Sequence, residues 1–404
     1  MNEMETFDVV VVGGGPAGAT AATDLARRGR KVLLLDREGR IKPCGGAIPP
    51  RLIKDFEIPD ALIVARIRSA RMVSPSDRRV DMPIDGGFVG MVDRAVFDPW
   101  LRQRAAEAGA ERRAGIFERL AREADGTSTV IYTPKSNVSQ GADCSVTKVT
   151  VRARAIIGAD GAKSQVARAA ISGAEKMRYC AAYHEIIRTP QDPHPGYDGS
   201  RCDVYYQGRL SPDFYGWVFP HGQTISVGTG SAHKGFSLRT ATAKLREVAG
   251  LDGAETLRRE GAPIPMKPLA CWDNGRDLVL AGDAAGVVAP ASGEGIYYAM
   301  AGGRFAAEAV DHFLATGDAK ALKLARQRFM KAHGRVFFIL GVLQRFWYSS
   351  DALRERFVSI CKDPDVQKLT WESYMNKELV RRKPMAHVRI FFKDLAHLFG
   401  IVRP

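Results

Sequence analysis

The sequence contains few cysteines, and their spacing excludes two common kinds of site. It has no CxxC pair and no cluster of histidines with the spacing of metal ligands. We therefore expect no bound metal and no disulfide framework, and we expect a reducing compartment. The six cysteines are scattered along the chain at Cys44, Cys144, Cys180, Cys202, Cys271 and Cys361.

Long apolar runs are also missing. The segment "VFFILGVL" is closed off by Arg335 and Arg345, and it is far shorter than the roughly 20 residues that span a bilayer. The acidic opening "MNEMETFDVVVVGGG" passes directly into a strand pattern, so we expect no signal peptide.

Acidic residues are too few to balance the basic ones. The chain has 59 Lys and Arg against 45 Asp and Glu, which leaves a formal charge of +14. Such an excess favours a negatively charged partner: nucleic acid, an anionic membrane face or a phosphorylated ligand. Half of the excess lies in residues 331–404, which contain 14 basic and 7 acidic side chains.

A glycine-rich turn between a strand and a helix is the first chemical motif. The segment "VVVVGGGPAGATAA" places Gly13, Gly15 and Gly18 at the start of an alanine-rich helix, and Asp36 ends the next strand. Such glycines allow a pyrophosphate to approach the helix N-terminus, and the acid can accept from ribose hydroxyls. This pattern predicts a βαβ unit that binds a dinucleotide.

A second glycine-rich segment favours FAD over NAD. In "AGDAAGVVAPASGEGIYYAMAGG", Asp283 ends a strand, and Gly286, Gly293 and Gly295 precede a helix. The aspartate can hold ribityl hydroxyls. The N-terminus of the helix that starts near Gly295 can stabilise negative charge on the pyrimidine side of a reduced flavin.

A third turn, "GADGAKSQVAR", carries Asp160. This residue either lies near a cofactor or caps its own helix together with Ser164 and Arg168. The three turns resemble the large flavoprotein family typified by aromatic hydroxylases, over about the first 320 residues. In that family the aspartate that matches Asp160 lies near the phosphate or ribose part of the cofactor.

The segment "KPCGGAIPP" places Cys44 before Gly45 and Gly46. We expect it to run over the flavin, because residues without side chains leave room for a flat ring. Cys44 is then a packing residue, a polar contact to the ring or a proton donor, and the sequence leaves these three possibilities open.

Three longer segments, "CGGAIP", "SPDFYGWVFP" and "WDNGRDLVLAGDAAGVVAPASGEGIYYAM", together resemble the geranylgeranyl reductase family in its chlorophyll and bacteriochlorophyll branch. The resemblance runs nearly end to end. It implies FAD contacts from Gly13, Gly15, Gly18, Asp36, Cys44, Gly46, Arg94, Asp283, Gly295 and Ile296. It also implies that Tyr215, Trp217 and Phe219 line an isoprenoid cavity, although aromatic residues at strand spacing equally fit an ordinary core.

The predicted fold is α/β. An FAD-binding, Rossmann-like domain of the aromatic-hydroxylase type comprises residues 1–70, 91–175 and 271–325. A substrate domain of antiparallel sheet comprises 71–90 and 176–270, because the apolar period shifts toward two between Met177 and Gly230. Residues 326–404 form a helical, basic C-terminal region.

The resemblance implies a reductase that hydrogenates three C=C bonds of a geranylgeranyl group to phytyl, with NADPH as electron donor. The group is carried by a pigment or by diphosphate. An isolated alkene has no carbonyl to take up charge, so a hydride must be accompanied by a proton. Cys44, Tyr215, and Tyr205 or Tyr206 are the candidate acids, and His184 is a weaker one. No second dinucleotide fingerprint marks a site for NADPH.

The segment "PMAHVRIFFKDLAHLFGIVRP" has an apolar stripe at helical spacing from Val388 to Val402. The stripe fits a helix in the interface of an anionic membrane, or a helix that packs on the protein's own core. Because a geranylgeranylated pigment partitions into lipid, we expect peripheral contact with the cytoplasmic side of a photosynthetic membrane.

Two other functions share the cofactor motifs. One is an FAD monooxygenase that acts on an aromatic or terpenoid substrate, and the other is a flavin-containing carrier of pigment or lipid without turnover. Nucleic-acid binding is disfavoured, because the excess charge accompanies an apolar helical stripe and no recognition module. Nothing in the sequence indicates an oligomeric state.

Overall fold

The computed structural model describes residues 4–135, 147–191 and 196–377. The chain divides into two compact units. The first comprises Met1–Lys42, Arg94–Tyr179 and Pro263–Arg335, and the second comprises Pro43–Asp93, Cys180–Ala262 and Val336–Pro404.

The described residues form strands and helices in mixed order. The strands are β1 Thr6–Val12, β2 Val32–Asp36, β3 Ala47–Ile48, β4 Ala65–Ile67, β5 Ser69–Val73, β6 Arg79–Pro83, β7 Val89–Met91, β8 Glu111–Arg122, β9 Ser128–Pro134, β10 Val149–Gly158, β11 Tyr179–Arg188, β12 Arg201–Tyr205, β13 Gly216–His221, β14 Thr224–Ser231, β15 Thr256–Pro265 and β16 Leu278–Leu280. The helices are α1 Pro16–Arg27, α2 Pro50–Asp55, α3 Arg94–Glu107, α4 Gln165–Ala170, α5 Leu238–Val248, α6 Ile296–Thr316, α7 Lys323–Trp347, α8 Asp351–Ile360 and α9 Pro364–Asn376.

A parallel sheet with the order β8-β2-β1-β10-β16 forms the centre of the first unit. The remaining strand, β9, pairs antiparallel with β8 and β10. Strands β1 and β2 are apolar runs that are buried along most of their length, as is typical of strands covered on both faces. The predicted βαβ unit is confirmed, and so is the helix expected to start near Gly295, which is α6.

The second unit contains a seven-stranded sheet with the order β15-β11-β14-β13-β12-β5-β6. The predicted antiparallel pairing is confirmed from β11 through β12. However, β12 pairs with β5 in parallel. More than 120 residues separate these strands along the chain, so no hairpin imposes the antiparallel direction. One face of the sheet packs in a core with α5, formed by residues that include Ile187, Val218, Ile225, Val227 and Leu245.

The boundaries of the units differ from those expected from the sequence. Residues 43–70 lie in the second unit, whereas the sequence analysis assigned them to the FAD-binding domain. Strand pairing accounts for this difference. Strands β3 and β4 both pair with β7, and β5 pairs with β12, so this segment has its partners in the second unit.

The C-terminal region is helical through α9, as expected. The predicted apolar stripe from Val388 to Val402 lies outside the described residues. Within the described ranges, no helix is both long and apolar enough to cross a membrane.

Helices α1 and α6 approach each other closely through small residues. A Cβ atom added to Gly303 on α6 would collide with the carbonyl oxygen of Ala17 on α1. The neighbouring Gly302 is different, because an added Cβ atom would lie 3.7 Å from the nearest atom, which is ordinary van der Waals contact. Of these two adjacent residues, therefore, only Gly303 must lack a side chain.

We expect Gly303→Ala to lower the free energy of unfolding by about 2 kcal/mol, because the backbones of α1 and α6 must separate. Gly302→Ala serves as the matched control. It should leave stability unchanged or raise it by about 0.5 kcal/mol, because alanine favours a helix over glycine. Urea denaturation of both variants measures this difference, and equal midpoints would contradict the packing described above.

Candidate functional site

The glycine turn after β1 is required by the protein's own backbone. Gly13 has a φ of +105°, a conformation that favours glycine, and an added Cβ atom would collide with the carbonyl of Ala159. A Cβ atom on Gly18 would collide with the carbonyl oxygen of Gly13. These two glycines therefore hold β1, α1 and the end of β10 together.

Gly15 has a different environment. It is the N-cap of α1, it has extended backbone angles, and a Cβ atom added to it would meet nothing within 4 Å. No side chain caps this helix, and its first turn contains no acidic residue. Other helices in the protein begin with a side chain that accepts a backbone N–H, namely Ser164 for α4, Ser237 for α5, Ser350 for α8 and Asp363 for α9. The open space and uncapped amides at Gly15 fit a bound phosphate group.

Asp36 lies beside this turn. Its Oδ2 accepts a hydrogen bond from the backbone N of Gly14 at 2.7 Å, and its Oδ1 accepts from the N of Glu38 at 2.9 Å. Arg102 Nη1 lies 3.6 Å from Oδ1 and also donates to the carbonyl of Gly14 at 3.3 Å. The structure thus brings the predicted acid to the glycine turn. Sequence reasoning missed Arg102, which comes from α3 and belongs to no motif.

The second predicted cofactor segment is also brought together. Asp283 is buried in a one-turn 3-10 helix, Gly282–Ala285, and forms an ion pair with Lys42. Gly295 is the N-cap of α6, again without a capping side chain, and an added Cβ atom would lie 3.7 Å from Asp283 Oδ1. Ile296 follows it and is buried. Sequence reasoning missed Lys42 as a site residue, although it is the first residue of the segment "KPCGGAIPP".

Arg94 and Asp160 are both engaged within the first unit. Arg94 is buried, and its Nε and Nη2 donate to the carboxylate of Asp98 at 2.6 and 2.7 Å. The Asp160 carboxylate accepts from Ser164 Oγ and from two backbone N–H groups at the start of α4. Burial raises the pKa of Asp160, and these hydrogen bonds oppose the rise. Asp160 therefore caps α4, and its contact with a cofactor stays a prediction.

The glycines after Cys44 have close neighbours in the second unit. Gly46 has a φ of +70°, and an added Cβ atom would lie 2.5 Å from the carbonyl oxygen of Val92 and 2.6 Å from His221 Nε2. A Cβ atom on Gly45 would lie 3.1 Å from the ring of Phe219. Contacts within the protein therefore restrict side chains at both positions, and the expected contact of this segment with a flavin stays a prediction.

Sequence reasoning missed His221 as a site residue. Its Nδ1 lies 3.0 Å from the carbonyl oxygen of Phe219, and its Nε2 faces Gly46. Burial lowers the pKa of His221, so the ring is neutral near pH 7. The alternation of side chains along β13 is a signal that could have found it, because it places His221 on the same face as Trp217 and Phe219.

The structure brings the three predicted substrate residues together, with Trp217 and Phe219 on one face of β13 and Tyr215 directly before the strand. The ring centroids of Tyr215 and Trp217 are 6.0 Å apart, and those of Trp217 and Phe219 are 6.3 Å apart. This aromatic face, Tyr215–Trp217–Phe219, is opposite the face that packs with α5, because alternate residues such as Val218 belong to that core. Gly228 lies beside Trp217, where a Cβ atom would collide with the indole.

The candidate acids differ in their surroundings. Burial raises the pKa of Tyr215 well above its ordinary value, and negative charge on neighbours including Tyr348 and Cys44 would raise it further. Tyr215 therefore stays protonated at neutral pH, and the same shift makes its hydroxyl a weaker acid. Cys44 is half-buried, and its Sγ accepts from the N of Gly46 at 3.4 Å.

The remaining candidates, Tyr205, Tyr206 and His184, do not all lie on the same face of the sheet. The side chain of Tyr205 lies in the core shared with α5, away from the aromatic face. The ring of Tyr206 lies 6.1 Å from that of Tyr215. His184 is buried, and both of its ring nitrogens have partners, Ser226 and Glu260. Among the residues that the structure describes, no group of three or more His, Cys, Asp or Glu side chains forms a candidate metal site.

Comparison with known proteins agrees with this geometry. Residues 8–56 match the family model described as FAD dependent oxidoreductase, and residues 60–328 match the one described as FAD binding domain. The crystal structure of a geranylgeranyl bacteriochlorophyll reductase-like protein from Thermoplasma acidophilum superimposes with a TM-score of 0.80 at 24% identity. The match covers 95% of this chain and all of that chain, and it shows that the fold is shared.

Curated relatives are similar over almost the whole chain. The geranylgeranyl diphosphate reductase of Rhodobacter capsulatus is 57% identical over 98% of this chain and 99% of its own length. The chloroplastic enzyme of the same name from Oryza sativa subsp. japonica is 38% identical over 96% of this chain and 86% of its own. The chain therefore belongs to the geranylgeranyl diphosphate reductase family of FAD-binding oxidoreductases.

Proposed function

We propose that this protein is an FAD-dependent reductase that hydrogenates three C=C bonds of a geranylgeranyl group to give phytyl, with NADPH as the electron donor. The observation that carries the proposal is the 57% identity, over nearly the full length of both chains, to the enzyme of Rhodobacter capsulatus. The aromatic face supports it, because an isoprenoid chain requires an apolar, aromatic-lined surface.

Residues of the first unit would hold FAD. The uncapped N-terminus of α1 at Gly15 would bind the diphosphate, and Asp36 would accept from the ribose. Asp283 would accept from the ribityl chain, and the N-terminus of α6 would stabilise negative charge on the ring. Reduced FAD, when bound, would supply a hydride to one alkene carbon. Tyr215 would donate the proton to the other carbon.

The assignment of Gly15 can be separated from effects on folding. We expect Gly15→Ala to fold normally, because an added Cβ atom meets no protein atom within 4 Å. It should weaken FAD binding by about 10- to 100-fold, because the methyl group would occupy the space of a phosphate contact worth about 1.5–3 kcal/mol. Gly253→Ala is the control, since that position is equally open. Titration of the apoproteins with FAD measures both, and equal affinities would remove Gly15 from the site.

Tyr215 can be tested as the proton donor. Tyr215→Phe keeps the ring but removes the hydroxyl, so we expect hydrogenation to slow by about 100-fold or more at unchanged FAD content. Cys44→Ala is the comparison, and it should slow the reaction far less. Single-turnover oxidation of the reduced enzyme by substrate measures this rate. A large loss in Cys44→Ala with little loss in Tyr215→Phe would transfer the role to Cys44.

We propose also that the protein contacts the cytoplasmic side of a photosynthetic membrane peripherally. On α7, Phe338 and Val342 are 72% and 51% exposed, and Arg335 and Arg345 are exposed as well. Exposed apolar side chains with basic neighbours favour binding to anionic lipid. A membrane would also supply a substrate with a long prenyl chain.

One anaerobic experiment tests the function, the electron donor and the membrane contact. The FAD-loaded protein is incubated with NADPH or NADH and with either geranylgeranyl diphosphate or geranylgeranylated bacteriochlorophyll in anionic vesicles. We expect mass increases in steps of two hydrogens, up to six, with NADPH. The protein should sediment with the vesicles at low salt and less at high salt.

The same incubation, repeated in air as well as without oxygen, tests the two rival functions. A product that contains oxygen and forms only in air would indicate a monooxygenase. Substrate binding without oxidation of the reduced flavin would indicate a carrier. The ratio of rates on the two substrates distinguishes the diphosphate from the pigment ester.

A further inference from the structure

A chain of hydrogen bonds runs across the sheet of the second unit, on the same side as the aromatic face. Trp217 Nε1 donates to Ser226 Oγ at 3.0 Å, and Ser226 Oγ lies 2.8 Å from His184 Nδ1. His184 Nε2 lies 3.0 Å from Glu260 Oε2. Three of these side chains are almost completely buried, with exposed fractions of 7% for Trp217, 0% for Ser226 and 3% for His184. The chain joins strands β13, β14, β11 and β15.

The chemistry of the four groups gives this chain one direction. An indole N–H can only donate, and an ionised carboxylate can only accept. Burial opposes ionisation of Glu260, but the hydrogen bond from His184 and the nearby Arg258 hold the pKa of that carboxyl below its usual value. The tautomer with hydrogen on Nε2 therefore suits His184, and its Nδ1 accepts from the Ser226 hydroxyl. The Ser226 oxygen keeps a lone pair for Trp217, so every donor and acceptor is used.

The position of the indole is also restricted sterically. Gly228 on β14 is paired with Trp217 on one side and with His184 on the other. A Cβ atom at this position would lie 2.5 Å from His184 Cβ and would collide with the indole of Trp217. The indole therefore lies over the backbone of β14, in space that only glycine leaves. Gly228 sets where the ring lies, and Ser226 fixes its N–H edge.

Such a chain is unusual for a surface that only has to be apolar. Buried polar groups are tolerated when every partner is present, and a fully bonded network then specifies a single arrangement. If the surface only had to be apolar, apolar side chains packed beside Trp217 would be sufficient, and no buried polar group would need a partner. The arrangement therefore fixes the indole of Trp217 in one orientation.

We propose that Glu260, His184 and Ser226 are positioning residues that hold Trp217 in one rotamer and thereby determine how completely one prenyl chain is hydrogenated. This inference rests on the proposed function. Three C=C bonds at different points along one prenyl chain must each be bound in turn against the same aromatic face. If the Trp217 ring can change orientation, it holds the prenyl chain poorly in some of these three positions. The first reduction then still takes place, but many chains are released after only one or two reductions.

The test compares two variants that each remove one hydroxyl from neighbouring strands. Ser226→Ala removes the link between Trp217 and His184. Tyr183→Phe is the control. The Tyr183 hydroxyl donates to Glu185 at 3.0 Å, and the side chain of Tyr183 lies on the opposite face of the sheet from that of its neighbour His184, away from the hydrogen-bonded chain. We expect the ratio of partially to fully hydrogenated product to rise by about fivefold or more in Ser226→Ala, as the loss of one buried hydrogen-bond partner predicts, and to stay unchanged in Tyr183→Phe.

A spectroscopic measurement follows the same chain without turnover. The protein contains five tryptophans, and Trp217→Phe identifies the indole ¹⁵N–¹H resonance of Trp217. We expect this resonance to shift, and its hydrogen to exchange faster with solvent, in Ser226→Ala but not in Tyr183→Phe. In the Trp217→Phe background, Ser226→Ala should no longer change the product ratio, because the ring that it positions has lost its N–H.

Variants at Glu260 provide a second route if Ser226→Ala does not fold, since Glu260 is at the less buried end of the chain. Glu260→Leu removes the acceptor and should shift the Trp217 resonance and the product ratio, whereas Glu260→Gln keeps an acceptor oxygen and should restore both. An unchanged resonance in Ser226→Ala or Glu260→Leu would overturn the proposal. So would a shifted resonance with an unchanged product ratio. Failure of the unaltered protein to reduce any substrate would instead refute the proposed function, and the resonance would still test the positioning.

Discussion

The first unit depends on how closely the backbone at the start of α1 can approach its neighbours. Gly13 and Gly18 leave no space for a side chain, so β1, α1 and the end of β10 meet with their backbones in contact. This approach leaves the N-terminus of α1 uncapped and open at Gly15. It also brings the backbone N of Gly14 within hydrogen-bonding distance of Asp36. The chemistry of a phosphate and a ribose can therefore be met by groups whose positions are fixed by the fold itself.

The second unit uses its main sheet differently on its two faces. The face toward α5 packs in a buried apolar core, and this burial stabilises the sheet. The aromatic face carries large rings, small residues and a bonded polar chain in close succession. Gly228 illustrates the difference, since it provides space for Trp217 on one strand and for His184 on another. A substrate surface here is a property of several strands acting together.

Local motifs in the sequence predicted much of this structure, whereas contacts between distant segments were beyond them. The turn at Gly13 and the helix after Gly295 follow from glycine spacing within a few residues, and the alternation in β13 predicts the aromatic face. The parallel pairing of β12 with β5 and the ion pair from Lys42 to Asp283 depend on tertiary contacts that no local pattern encodes. The approach of His221 to the glycines after Cys44 likewise could not be known from a local pattern, so the sequence offered only a ligand as the reason for these glycines.

The alternation of the two units along the chain has a consequence for biosynthesis. Each unit is assembled from three separate segments, and the first unit lacks the residues of β16 and α6 until about three quarters of the chain has been made. Strand β1 is synthesised first but pairs with β10, which comes more than 100 residues later. Neither unit can therefore mature on the ribosome as an independent, N-terminal piece. In the first unit, contacts between segments far apart along the chain form late. We therefore expect slow folding, during which the apolar strands β1 and β2 are exposed to chaperones.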